Sequence, residues 1–302
     1  MSKSVKIWLI IAVVLIAVGL AVFAGALLAV DFNFSRLSTE KYETNTYKIS
    51  ENFDNLSINA DTVADITFAV SKDDSCRVEC FERSKMKHSV IVENGTLKIA
   101  VKNTVRWYDH ISFFTFHSPN ITVFLPEKAY STLTIDTDTG DIEIPNELNF
   151  ETLKVTGETA DVECYATVSE SVNIGLSTGS ITLKNSNSET IDVSTSTGDI
   201  ELKDIACNSL NVKSSTGEME LRNVIAEAAI TIKSGTGDVE FEKCDANEIL
   251  VETSTGEVSG TLNSEKVFIT DTSTGKVRVP DSTSGGRCKI TTSTGDIRIR
   301  IE

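Results

Sequence analysis

Basic charge is what this 302-residue sequence is short of. Its 28 Lys and Arg stand against 44 Asp and Glu, a net charge of −16. That excludes nucleic acid as a partner, because phosphates need a basic surface. It also excludes flat docking on anionic lipid. Histidine is nearly absent as well. His88, His110 and His117 are the only three, and none stands in a Ser/His/Asp order that would build a nucleophilic triad. Each is expected as a solvated residue of a β cap. There is no GxGxxG, P-loop, HExxH or EF-hand pattern. The six cysteines form no CxxC and no Cys–His cluster in sequence, so neither a metal nor a cofactor is expected. Cys76 and Cys80 are about 13 Å apart on an extended strand, too far to bond directly. Most of the cysteines are expected to be free and structural. Aromatic residues make up only 7% of the chain. From Gly140 onward they are Phe150, Tyr165, Phe241 and Phe268, too few for an enzyme acting on polysaccharide along a repeat face.

The one long apolar run is N-terminal. Ile7 to Val30 carries no charge, and a helix of that length reaches about 36 Å, enough to cross a bilayer core of about 30 Å. Lys3 and Lys6 precede it and Asp31 follows it. The positive-inside rule therefore keeps residues 1–6 cytoplasmic and places everything after Asp31 outside. A cleaved signal peptide, with Ala24-Gly25-Ala26 as its small-residue site, is the rival reading, and the run is long for one. The expected organisation is a cytoplasmic N-terminus (1–6), a single-pass transmembrane anchor (7–30), a polar linker (31–45), an N-terminal β cap with an insertion (46–130) and a repeat region (131–302).

Self-similarity dominates the remainder. Thr-Gly recurs at Gly140, Gly179, Gly198, Gly217, Gly237, Gly256, Gly275 and Gly295, and Thr159-Ala160 fills the gap. The spacing is 19 or 20 residues throughout. Numbered from the glycine, positions −7, −5, +2 and +4 are apolar, with Thr270 and Gly260 the exceptions. Each unit therefore reads as two short strands joined by a glycine corner. One unit cannot bury its own apolar face, but stacked units bury a continuous column. An antiparallel meander would explain strands and turns but not the constant period. The expected fold is all-β: a single-stack parallel β-solenoid of 19–20-residue rungs. Position +1 is acidic in seven of the nine copies. Stacked carboxylates there would repel or hold divalent cations, although Ser180 and Lys276 break the row. By strand parity the threonines at −1 and −3 point inward or into the turn.

Upstream, Leu56-Ser-Ile58 and Asp65-Ile66-Thr-Phe68 form a first unit without glycine. Asn94-Gly95 between two alternating runs predicts a hairpin. The stretch 106–117 concentrates the aromatics: Trp107, Tyr108, His110, Phe113, Phe114 and Phe116 form a candidate partner-contact loop, with packing into the cap as the plainer alternative.

Units such as Ser196-Thr-Gly-Asp-Ile-Glu-Leu202 and Ser293-Thr-Gly-Asp-Ile-Arg-Ile299 resemble the bacterial DUF4097 family of β-strand repeat proteins, often labelled adhesin candidates. The resemblance covers roughly residues 46 to 302. It implies a surface or envelope protein, sometimes associated with envelope-stress systems, and supplies no catalytic residue. The expected function is a membrane-anchored, extracytoplasmic binding or adhesion module with a protein or envelope-polymer partner. A scaffolding or regulatory subunit of an envelope-stress system is the alternative.

Overall fold

A computed structural model describes residues 3–29, 41–102 and 118–302. Helix α1 (Lys3–Ala29) is fully apolar from Ile7 onward. Its segment Val5–Ala29 is long and apolar enough to cross a membrane, with mean hydropathy 3.0. Everything else described is β-structure in one connected sheet system.

The stack begins with strands β1 (Tyr42–Ile49), β2 (Asn55–Val63), β3 (Asp65–Val70), β4 (Cys76–Arg83), β5 (His88–Glu93), β6 (Thr96–Val101), β7 (Asn120–Leu125), β8 (Ala129–Thr139) and β9 (Ile142–Ile144). The glycine-less unit is a true rung. Strand β2 pairs parallel with β8, and β3 with β9. Strands β6 and β7 build a further rung outside it, pairing parallel with β2 and β3. The topology is therefore mixed rather than a pure single stack. Antiparallel pairs β1–β4, β4–β7 and β5–β6 cover the first rung. A two-residue turn makes the reversal in β5–β6. Asn94 and Gly95 close the β5–β6 hairpin with φ of 52° and 73°, the pairing of positive angles that a two-residue hairpin needs.

From β8 onward the rungs run parallel and in register. The −7/−5 pair of each rung lies over that of the next, as Leu210/Val212 does over Ile230/Ile232. Those pairs and the +2/+4 pairs form one buried column. Two features depart from the expected rung. First, the rungs inside the stack have a third buried side. Ile205/Cys207 lies over Val224/Ala226, and Tyr130, Phe150 and Val168 begin the same column. Phe53, Tyr130 and Phe150 stack there, with ring centroids 6.0 and 5.8 Å apart. The corner leading into this side is held by Asn185, Asp204, Asn223 and Lys243, with φ of 53–60°. Cys207 and Cys244 are core residues of this side.

Second, the last two rungs exchange places. Strand Val239–Thr255 pairs with Gly286–Thr294 and not with Lys266–Thr274. Lys266–Thr274 pairs on the outside of Gly286–Thr294. The chain thus builds the outermost rung before it fills the one beneath. Gly285 and Gly286 explain how it slips in. A Cβ on Gly285 would meet the Glu265 carbonyl oxygen at 1.8 Å, and one on Gly286 the Asn247 carbonyl oxygen at 2.2 Å. The polar Thr270 at −5 suits an end rung, which is half solvated. The C-terminal strand Ile297–Ile301 is consequently packed beside Val258–Leu262. The free edge belongs mainly to Lys266–Thr274.

At the repeat corner, glycine meets two demands. Gly217 has φ 146°, and a Cβ there would lie 2.0 Å from the Gly198 carbonyl oxygen. The corners are also hydrogen-bonded in sequence: Gly198 N–H donates to Thr216, and Gly217 N–H to Thr236, each at 2.9 Å. Rungs touch backbone to backbone at the glycine corners, whereas Ala64 and Ala160 hold the equivalent corner and corner hydrogen bond without a positive φ.

Candidate functional site

The outward residues of the +2/+4 strand are +1 and +3. In the rungs from Gly198 to Gly237 these are Asp199 and Glu201, Glu218 and Glu220, and Asp238 and Glu240. Parallel register places Glu201, Glu220 and Glu240 directly over one another. With Thr182 and Ser259 at either end of the row, these side chains line an open groove of about 520 Å³. Like charges stacked on one face at about 4.8 Å repel one another by about 1 kcal/mol per pair in water. Part of this is offset. Lys184 pairs with Glu201 at 3.0 Å, and Arg222 pairs with Glu220. Glu240 has no ion pair among the described residues.

The +1 row has a second use that the sequence reading missed. The Asp199 carboxylate accepts the Glu218 backbone N–H at 2.8 Å, and Asp238 accepts Glu257 N–H at 2.7 Å. Asp161 does the same for Ser180, and Asp296 for Lys276. Aspartate has the reach to clip the next rung, so the residue it clips is free to vary. Ser180 and Lys276 interrupt the row of charge and are themselves clipped partners.

The threonines divide. Position −3 points inward: Thr195 is buried and donates to the Gly179 carbonyl at 3.1 Å. Position −1, expected to share that side, is exposed at Thr197 and Thr216 because the chain bends at the corner. All six cysteines are free and buried. Burial pushes their thiols up, to about 11 at Cys76, Cys207 and Cys244 and to about 12 at Cys80, Cys164 and Cys288. They are inert as nucleophiles at neutral pH.

The aromatic candidates Trp107, Tyr108, His110, Phe113, Phe114 and Phe116 lie outside the described residues, as do His117 and the rest of 103–117. His88 corrects an expectation. It is not solvated but 3% exposed, and its Nδ1 lies 2.6 Å from Oε2 of the equally buried Glu82. Cys80 completes a cluster whose donor atoms all lie within 4.8 Å of one another. The missed signal was parity. Cys76, Val78, Cys80 and Glu82 alternate inward along β4, so Glu82 had to be buried, and it needed a partner.

A parallel solenoid carrying an open side groove defines the protein's architectural class. The model of the DUF4097 family, described as Toastrack DUF4097, matches residues 53–300, and the chain belongs to that family. Two crystal structures from Parabacteroides distasonis share the fold. One, described as an adhesin candidate, is 12% identical, covers 87% of this chain and 98% of its own, and has a TM-score of 0.54. The other, described as a candidate lipid-binding protein, is 17% identical with coverage of 87% and 98% and a TM-score of 0.51. No curated protein is significantly similar to the chain.

Proposed function

We propose that this protein is a membrane-anchored, extracytoplasmic binding module of the cell envelope, and that it engages a cationic segment of an envelope protein or polymer along its acidic side groove. The observation that carries this reading is the stacked row Glu201, Glu220 and Glu240. A ladder of carboxylates that Lys184 and Arg222 offset only in part, with Glu240 unpaired among the described residues, costs stability, and a partner with positive charges at matching intervals would relieve it. The groove is long and open, which suits an extended partner better than a small substrate. Helix α1 would hold the module at the membrane, with the Lys3 and Lys6 end inside. The adhesin description carried by a fold neighbour points the same way. The test is retention of envelope fragments by the purified full-length protein in detergent, compared with Glu220→Lys/Glu240→Lys. Loss of retention in the double variant, with an unchanged circular dichroism spectrum, supports the groove. Equal retention assigns binding elsewhere and refutes it.

A further inference from the structure

We propose that the N-terminal cap stands end-on against anionic phospholipid headgroups, through a basic edge formed by Lys41, Arg83, Lys85, Lys87 and Lys102. This rests on α1 being the membrane anchor. The net charge of −16 hides an asymmetry along the chain. Residues 131–302 hold 30 of the 44 acidic and 14 of the 28 basic residues, so they account for all of it. Residues 1–130 are neutral, with 14 of each sign. Within the cap, basic residues gather at one edge, where β1 and β5 begin and β4 and β6 end. The backbone ties them together there. The Lys41 carbonyl accepts the Ser84 N–H at 2.8 Å and the Ser84 hydroxyl at 3.1 Å, and the Lys87 carbonyl accepts the Lys102 N–H at 2.8 Å. Arg83 is the register partner of Tyr42. The four lysines are exposed and Arg83 is half-buried. Glu43 pairs with Lys87 at 2.5 Å and Glu82 is buried, so positive charge is in excess at this edge among the described residues.

The plainest alternative is a set of solvated lysines at strand ends, which discourage edge pairing. It explains their exposure but not their gathering. The opposite ends of the same strands carry both signs, as in Glu51, Asp73, Asp74 and Lys72. Two observations identify the partner. Eleven residues, 30–40, join α1 to Lys41, so the chain enters the fold at this edge and holds it within about 40 Å of the end of α1. The repeats beyond the cap are acidic, so an anionic surface attracts this edge and repels the rest of the rod. The sides are thereby kept from lying flat, and the base is the part that can be seated. The contact is made by exposed ammonium groups on flexible stems, so it reads headgroup charge rather than the shape of one lipid. Docked in this way, the rod stands off the membrane and its acidic groove is held clear of the headgroups.

Full-length protein is reconstituted into vesicles of phosphatidylcholine, alone or mixed with phosphatidylglycerol. A donor dye is placed at Thr44→Cys on β1 or at Ser273→Cys on the end rung, the native thiols being buried, and a headgroup dye is the acceptor. Energy transfer from position 44 is expected to rise when phosphatidylglycerol is present at low salt, and to fall back in about 0.5 M salt. Transfer from position 273 should not rise. Each basic residue near an anionic surface strengthens the contact about fivefold. Lys85→Glu/Lys87→Glu should therefore weaken docking at least about 25-fold and remove the rise, with an unchanged circular dichroism spectrum. Equal transfer from position 44 in the two kinds of vesicle, or a rise that survives in the double variant, overturns the docking. Flotation reports the anchor separately: protein that does not float with either vesicle refutes α1 as the anchor, and floating protein without the rise refutes the basic edge alone.

Discussion

Replacing Gly217 by alanine tests why the repeat keeps its glycine. The new methyl would lie 2.0 Å from the Gly198 carbonyl oxygen and 2.5 Å from its carbon. Both are backbone atoms of the neighbouring rung and cannot rotate away. To reach even 3.0 Å the rungs must part by about 1 Å at that corner. The φ of 146° adds strain of about 1–3 kcal/mol for any residue with a Cβ. Parting the rungs also weakens two hydrogen bonds: Gly198 N–H to Thr216, and Glu218 N–H to Asp199. Each is worth about 0.5–1.5 kcal/mol. The expected loss is about 2–6 kcal/mol. Gly175→Ala is the control. It lies in the same kind of strand, but its Cβ would meet nothing nearer than Ser194 Oγ at 3.6 Å. Its effect should stay within about 0.5 kcal/mol, as for an ordinary surface substitution. Urea unfolding followed by circular dichroism measures both. Solenoids can open rung by rung, so hydrogen exchange around residues 198–236 should localise the damage. Equal losses in the two variants would refute the close-approach argument.

Asp199→Ala should cost about 0.5–1.5 kcal/mol by freeing the Glu218 N–H, while Asp199→Asn, which keeps an acceptor oxygen, should restore most of it in the same urea assay. The buried thiols make stability fall at alkaline pH. Their folded values are raised above the ordinary 9.0, so the unfolded chain loses these protons first. Stability is unaffected below pH 9 and drops above it, by about 1 kcal/mol per thiol at pH 10. Cys164→Ala should make that decline shallower, and an unchanged slope would contradict the burial argument. The rung exchange is testable by cross-linking. Thr255→Cys with Thr294→Cys should form a disulfide, because these residues are register partners. Thr255→Cys with Thr274→Cys, one rung further, should not.

The rungs were legible because four apolar positions and one glycine recur together. The register follows from that pattern, and the Asn94-Gly95 hairpin from its own turn signal. The third side was not legible, because its residues do not repeat in kind. Ser186/Ser188, Ile205/Cys207 and Val224/Ala226 occupy one column, and small or polar residues hide a core position. Its one clue was the run of Asn185, Asp204 and Asn223 at a fixed offset, residue types that tolerate positive φ. The exchanged rungs could not be read from spacing, because a 19-residue period is silent about which copy stacks on which. Gly285-Gly286 and the polar Thr270 were the local marks of it. The Cys80, Glu82 and His88 cluster joins two strands through a turn, so no linear motif announces it.

The central claim is that the acidic groove is the face that meets a partner. Photo-crosslinking amino acids placed at Glu220 in the groove, and at Asp192 and Lys213 on the outward side of the −7/−5 strands, would test it in intact cells. Mass spectrometry would identify the adducts. The account predicts one recurrent envelope adduct at position 220 and none at 192 or 213. Adducts of equal yield at all three positions, or a specific adduct only at 192 or 213, would contradict it.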